Sequence, residues 1–215
     1  MSSLIATIKL REAVSKAAIE GHVFDGLDQV HLSDWENKWA PIVQATIRKM
    51  RTQGVPPPQS AHWDWNKKAA AFHGFLARRM FAVTCAGETQ GLMAVSSGLV
   101  SHTSRIPDDQ GRIGLGLVYI DFLEAAPWNR PEHVATPRYR GVGSVLVATA
   151  IQLSLDDDLK GRIGLHALPQ SEDFYRSVLR MRDLGPDLTY PGLHPLRYFE
   201  FTAAEAQAFT SGGNK

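Results

Sequence analysis

One stretch of this chain, residues 117–155, constrains the fold more than any other. An apolar run at 117–123 precedes a short loop, the segment 138–144 and then a helical pattern. A strand that leads into a glycine-containing turn at the start of a helix exposes backbone N–H groups beside the positive end of the helix dipole. Turns of this kind bind phosphate groups. We therefore expect the rest of the chain to support this turn or to face it.

The length and composition predict one folded domain, with two small domains as the alternative. The chain has 215 residues, of which 44% are hydrophobic, and this is enough to bury a sizeable core. The 23 basic and 22 acidic residues nearly cancel, which disfavours a dedicated nucleic-acid partner. The single cysteine, Cys85, lies in an apolar run and excludes an internal disulfide. We expect Cys85 to be a buried, inert thiol and the chain to need no metal.

The N-terminal residues do not resemble a targeting segment. The apolar patch at residues 4–8 is followed at once by Lys9 and Arg11, with no cleavage site of small residues. No uncharged run reaches the roughly 20 residues that a membrane span needs. The sequence therefore predicts a cytoplasmic protein without a membrane partner.

The N-terminal third is predicted to be mainly helical. Residues 3–20 allow a strand or a helix, and apolar spacing favours a helix from about Arg11. Asp34 is the expected N-cap of a second helix, 35–53. Two tryptophans in 63–65 precede a third helix, 66–79. They are interpreted as packing that helix on the core, with a substrate wall as the alternative.

The remaining chain alternates strands and helices in the order β-β-β-α-β-α-β. A short Gly-containing link predicts a hairpin, and the strand-helix-strand unit around 117–168 requires a right-handed crossover and parallel strands. These elements predict an α/β fold with a mixed, mostly antiparallel sheet and helices on both faces. The predicted elements are strands 80–85, 91–97, 114–124, 162–168 and 196–201, helices 142–155, 171–181 and 202–209, and a turn-rich loop at 185–195.

The segment 138–144 fits the pattern Arg/Gln-x-x-Gly-x-Gly/Ala. Its spacing differs from the dinucleotide fingerprint, and it is too short for a P-loop. The helix that begins inside it has an apolar stripe, which strengthens the assignment beyond the motif alone. That stripe comprises Val142, Val145, Leu146, Ala150 and Leu153.

With this motif in this context, the chain resembles the GCN5-related N-acetyltransferases, well over residues 80–201 and only by helix order before them. The resemblance implies a strand 117–124 that carries a bulge and splays from strand 162–168, so that the pantetheine arm of CoA pairs with the freed edge near Phe122 and Leu123. It also implies that backbone amides of the motif bind the CoA pyrophosphate. The motif residues are Arg138, Tyr139, Arg140, Gly141, Val142, Gly143 and Ser144.

The same resemblance suggests a catalytic acid. Tyr175 matches the tyrosine that protonates the departing CoA thiolate, and a phenol is a suitable donor to a thiolate. Two positions depart from the pattern of the family. Leu168 stands where many members have asparagine, and residues 181–185 replace the usual Gly-Phe.

The general base is less well defined by the sequence. Glu124, at the end of the third strand, is the first candidate, and Asp121 is the second. Strand alternation places them on opposite faces unless a bulge intervenes. His166 is the third candidate, although a core histidine with satisfied hydrogen bonds is the favoured interpretation.

The resemblance implies a transferase that moves an acetyl group from acetyl-CoA to a primary amine by direct attack in a ternary complex. The acceptor is expected to be a small-molecule or peptide amine, and a homodimer is left open. We predict one N-acetyltransferase domain, in which residues 1–79 shape the acceptor side and 80–201 form the CoA-binding core. The alternatives are a non-catalytic acyl-CoA sensor and an enzyme that acetylates aminoacyl-tRNA.

Overall fold

A computed structural model describes residues 1–97, 102–189 and 195–212. Parts of the predicted 185–195 loop, and the last three residues of the chain, lie outside the described residues. The chain divides into two compact units. We call Met1–Ala94 with Phe122–Leu146 the first unit, and Val95–Asp121 with Val147–Lys215 the second unit.

The strands form the mixed sheet that the sequence predicts. Among the described residues there are nine strands, in the order β6-β1-β2-β3-β4-β5-β7-β9-β8. The pair β5–β7 is parallel, whereas β1–β2, β1–β6, β2–β3, β7–β9 and β8–β9 are antiparallel. The strands are β1 Ser3–Glu12, β2 Ala18–Asp25, β3 Arg78–Cys85, β4 Glu88–Ser97, β5 Val118–Ala125, β6 Tyr139–Arg140, β7 Ile163–Ala167, β8 Arg182–Pro186 and β9 Arg197–Phe201.

The predicted helix from Arg11 is wrong, because β1 and β2 form an antiparallel hairpin there. Leu10 is buried between the exposed Lys9 and Arg11, which is the two-residue alternation of a strand. The apolar residues that suggested a helix fall in the hairpin turn, where Val14 is exposed, and at the start of β2. The first part of residues 1–79 is therefore a sheet edge and not a helix.

The helices of the first unit differ from the prediction at their ends. Helix α1 (Gln29–Asp34) continues through a π-helical turn, Trp35–Trp39, into α2 (Ala40–Thr52). Asp28, and not Asp34, is therefore the N-cap. Helix α3 (Trp65–Phe72) ends earlier than predicted, because Gly74 has a φ of +82° and β3 follows.

The predicted β3–β4 hairpin is confirmed. Its two turn residues, Ala86 and Gly87, both have positive φ, at 52° and 74°. Two consecutive positive φ values are the requirement of a type I′ hairpin turn.

In the second unit, the C-terminal helix and strand were predicted better than the segment before them. Helix α5 (Ala203–Thr210) begins with the Thr202–Glu205 capping box. The predicted helix 171–181 is present but short and irregular, because a 3₁₀ turn, Pro169–Ser171, leads into a π-helical turn, Phe174–Val178, and helical structure ends there. Strand β8 follows and overlaps the first residues of the predicted loop, and Asp183 on β8 forms an ion pair with Arg197 on the adjacent β9. Helix α4 (Val142–Asp156), which begins in the first unit and ends in the second, matches its prediction.

The core of the first unit confirms the packing interpretation of Trp65, which is completely buried. Trp65 belongs to a cluster with Trp39, Phe72, Met80, Ala82, Leu92, Ala94 and Ala126. Cys85 is buried as expected. Within the described ranges, no helix is long and apolar enough to cross a membrane, and no three potential ligands converge on a metal position.

Candidate functional site

The glycine turn before α4 is open. Gly141 is exposed, has a φ of +93°, and a Cβ atom built there would meet nothing within 4 Å. The N–H of Val145 donates to the Gly141 carbonyl at 2.9 Å, so helical hydrogen bonding starts at Gly141. The N–H groups of residues 142–144 precede the first such bond, and a glycine N-cap has no side-chain acceptor for them. The turn therefore has room and donors for an anion.

The backbone just before the turn is held from inside the first unit. The Arg138 N–H donates to the Trp128 carbonyl at 2.8 Å, and the Tyr139 N–H donates to Asn129 Oδ1 at 2.8 Å. Strand β6 also pairs with β1. These two amides are engaged within the protein, so neither of them is available to a ligand.

The two arginines of the motif have different surroundings. The Arg138 guanidinium lies 2.5 Å from Glu88, which Lys38 also contacts at 3.3 Å. Although burial acts to raise it, the pKa of Glu88 lies below its ordinary value because both cations donate to the carboxylate. Arg140 is exposed. Arg138 is thus a residue that anchors the turn, whereas Arg140 faces solvent beside it.

Glu124 lies in a buried cluster at the end of β5. Its Oε1 accepts from Arg130 Nη1 at 2.8 Å, and its Oε2 accepts from Trp65 Nε1 at 2.6 Å. Burial raises the pKa of the Glu124 carboxyl, and it outweighs the lowering by these two donors. A carboxylate with a raised pKa is a stronger proton acceptor than one in water.

Asp121 and the residues after it lie where the parallel ladder ends. Strands β5 and β7 pair only from Val118↔Ile163 to Ile120↔Leu165, although both strands continue. Phe122 and Leu123 follow the last pair on β5, as expected for a splayed strand pair. Asp121 is half-buried and accepts from Ser96 Oγ at 2.8 Å.

Tyr175 lies in the π-helical turn of the second unit. Its side chain is buried, and its ring lies 5.8 Å from that of Phe199. Burial raises the pKa of the Tyr175 phenol. The hydroxyl therefore stays protonated at neutral pH, which is the state that a proton donor requires.

His166 is engaged at both ring nitrogens, which confirms the interpretation as a satisfied core histidine. Its Nδ1 lies 2.6 Å from Tyr119 Oη, and its Nε2 lies 2.9 Å from Asp187 Oδ2. Burial lowers the pKa of His166, and the hydrogen bond that His166 donates to Asp187 opposes that shift. A neutral imidazole that donates to Asp187 accepts from Tyr119, so the ring has no free nitrogen for a substrate.

The contacts of several residues around these positions were not predicted. Arg130 and Trp65 bind Glu124, Asn129 supports the turn, and Asp187 binds His166. Only the contact of Arg130 could have been predicted from nearby sequence, because a basic residue six positions after a buried acid is a reasonable ion-pair partner. Trp65 lies 59 residues from Glu124, and no spacing rule connects them.

Comparison with known proteins identifies the fold. No protein-family profile and no curated protein matches the chain. Among 72 matching solved chains is the structure assigned as arylalkylamine N-acetyltransferase 7 of the yellow fever mosquito Aedes aegypti. It is 11% identical, has a TM-score of 0.52, and the match covers 94% of this chain and 96% of that one.

Two further structures match with lower TM-scores. FeeM, an N-acyl amino acid synthase from uncultured soil microbes, has 15% identity and a TM-score of 0.49, with 87% of this chain and 93% of that chain covered. Aminoglycoside N-acetyltransferase AAC(6')-Iy has 14% identity and a TM-score of 0.49, with 80% and 96% covered. The match to the Aedes aegypti structure, with its TM-score of 0.52, shows that this chain has the fold of the GCN5-related N-acetyltransferases.

Proposed function

We propose that this protein is an acetyl-CoA-dependent N-acetyltransferase that acts on a primary amine by direct attack in a ternary complex. The observation that carries the proposal is the open glycine turn at the start of α4. In this fold, that turn follows a strand whose parallel pairing ends early. The same proposal includes one N-acetyltransferase domain, in which the first 79 residues shape the acceptor side. It also includes a cytoplasmic location.

The turn residues fit the phosphates of CoA. The N–H groups of Val142, Gly143 and Ser144 would bind the pyrophosphate, and Gly141 would let it approach the backbone closely. Arg138 and Tyr139 would position the turn through their engaged amides. The strand edge at residues 122–123 would pair with the pantetheine arm. Bound acetyl-CoA supplies the thioester acetyl group.

Glu124 is the first candidate for the base that takes the proton of the attacking amine, and Asp121 is the second. The raised pKa of Glu124 favours proton uptake, and Arg130 would hold the carboxylate in place. Glu124→Gln and Asp121→Asn distinguish them through the pH profile of kcat/KM. Loss of the acidic limb is expected in Glu124→Gln only, and loss in Asp121→Asn only would reverse the assignment.

Tyr175 is the candidate for the acid that protonates the departing thiolate. Tyr175→Phe keeps the packing against Phe199 and removes only the hydroxyl. It is expected to lower kcat by about 10²-fold while CoA affinity stays unchanged. Leu179→Met, a buried change nearby that adds no polar group, is the control for altered packing.

The CoA site is tested by calorimetry on Gly141→Glu and Gly143→Glu. Each variant places a carboxylate where the phosphates would lie, so CoA binding should be abolished. Gly54→Glu is the matched control for Gly141→Glu, since Gly54 also has positive φ and open space around it. Unchanged CoA affinity in both turn variants would show that the site is assigned wrongly.

A non-catalytic acyl-CoA sensor is the second candidate. The near-complete burial of Glu124 and Tyr175 favours it, because a catalytic group must reach its substrate. A panel of amines with acetyl-CoA separates the two functions. CoA binding without turnover on any amine, together with no effect of Tyr175→Phe, identifies the sensor.

A further inference from the structure

Two arginines face each other at the phosphate turn. Strands β1 and β6 place Arg11 directly opposite Arg140, and both side chains are exposed. Directly opposed residues of an antiparallel pair project from the same face, with Cβ atoms about 4.5–5.5 Å apart, and like charges there repel. Arg140 immediately precedes Gly141, so both guanidinium groups belong to the surroundings of the turn.

The pair has no neutralising acid of its own. On the other side of β1, the partner of Arg11 is Ala18, whereas Lys9 lies opposite Glu20. Within the described ranges, no carboxylate lies within ion-pair distance of either Arg11 or Arg140. The buried and anchored arginines of the same unit differ, because Arg130 binds Glu124 and Arg138 binds Glu88. Two opposed cations without an acid make a position suited to an anion.

We propose that Arg11 and Arg140 together bind the phosphomonoester of the CoA nucleotide. This assignment rests on the proposed function, and it adds Arg11, a residue outside the motif, to the binding site. A phosphomonoester carries about −1.5 to −2 charges at neutral pH, which two guanidinium groups balance. The forked guanidinium suits bidentate contact with phosphate oxygens. The turn amides bind the pyrophosphate, so the two phosphate groups have separate donors.

A chain with such a pair distinguishes CoA from dephospho-CoA, which lacks the 3′-phosphate. The test is calorimetry at one fixed low salt concentration with both ligands, on the wild type, Arg11→Ala and Arg11→Lys. Arg11→Ala should bind CoA roughly tenfold more weakly and dephospho-CoA as the wild type does. Arg11→Lys should recover part of the CoA affinity, because it restores the charge without the fork.

Lys9→Ala is the matched control. Lys9 is an exposed cation on the same face of β1, two residues further from the turn. Its substitution should leave the affinities for CoA and for dephospho-CoA unchanged. Folding of Arg11→Ala is checked by thermal unfolding without ligand. We expect no loss of stability, because the substitution relieves the repulsion between Arg11 and Arg140. Wild-type CoA affinity in Arg11→Ala overturns the inference. An equal loss for both ligands also overturns it, because the pair would then contact the pyrophosphate.

A second titration separates this inference from the proposed function. Adenosine 3′,5′-bisphosphate and adenosine 5′-monophosphate carry the nucleotide without the thioester arm. A wild type that binds no CoA and acetylates no amine refutes the proposed function. An Arg11-dependent preference for the bisphosphate would still support the phosphomonoester site, whereas no preference would remove that site as well.

Discussion

Glu124 in the first unit and Asp187 in the second are buried to nearly the same extent, with 7% and 8% of their surface exposed. Glu124 accepts one hydrogen bond from Trp65 and one from Arg130. Asp187 accepts from Arg105 and His166, and two more come from the backbone and hydroxyl of Thr189.

Their pKa values shift in opposite directions. Burial raises the pKa of Glu124, whereas the hydrogen bonds from Thr189, Arg105 and His166 hold the pKa of Asp187 far below its usual range. Donors to the ionised form compete with desolvation, and Asp187 accepts four hydrogen bonds whereas Glu124 accepts two. Glu124 is consequently suited to gain a proton, and Asp187 is suited to hold its neighbours in place as an anion.

The largest effect is expected from Glu124→Ala. The substitution leaves the Arg130 guanidinium and the Trp65 N–H without their buried acceptor. We expect a loss of about 3–5 kcal/mol in the free energy of unfolding, measured with urea. Glu132→Ala, which removes the more exposed partner of Arg130, is the control and should cost clearly less. Equal losses would show that Arg130 is not held mainly by Glu124.

Asp187→Asn is expected to have the next largest effect. The amide keeps the shape of the side chain but loses the charge that attracts Arg105 and His166. The expected loss is about 2–3 kcal/mol in the same measurement. Asp157→Asn, an exposed change in the same unit, should stay within about 0.5 kcal/mol. If Asp187→Asn were as mild as this control, the four hydrogen bonds would not stabilise the fold.

Trp65→Phe probes one donor of Glu124 without removing the carboxylate. The variant loses the indole N–H and part of the ring, and about 1–2 kcal/mol is the expected loss of stability. The pKa of Glu124 should also rise further, because one hydrogen bond to its ionised form is gone. Trp63→Phe, which changes a half-buried tryptophan of the same segment, is the control. This variant should leave the pKa of Glu124 unchanged.

The pH dependence of stability compares the two carboxylates directly and should show the smallest change. Above its ordinary pKa of 4.5, folded Glu124 still binds a proton that the unfolded chain releases, so its contribution falls as pH rises through that window. Asp187 has the opposite sign, because its contribution is complete above the ordinary value of 3.8 and is lost as pH falls towards the folded pKa.

Urea unfolding across the acidic range, on the wild type, Glu124→Gln and Asp187→Asn, measures these slopes. Glu124→Gln should remove the fall with rising pH, and Asp187→Asn should remove the loss at low pH. Slopes of the same sign in both variants would contradict the comparison between the two carboxylates.

The elements that the sequence predicts well are those with local causes. The Ala86–Gly87 turn needs two positive φ values, Thr202 and Glu205 form a capping box three residues apart, and α4 follows its apolar stripe. The N-terminal hairpin was misassigned, because alanines at helical spacing near its turn concealed the alternation around Leu10. Strand β8 was missed because its five residues pair only with β9, and its alternation carries no apolar signal.

By itself, the sequence determines the open turn at Gly141, since the glycine, the apolar strand before it and the helix after it are neighbours in the chain. Only the tertiary structure decides the electrostatics of the site. The pairing of Arg11 with Arg140 and the bond from Trp65 to Glu124 join residues far apart in sequence. A pKa or a charge pair depends on which groups meet in space, and no local pattern encodes that meeting.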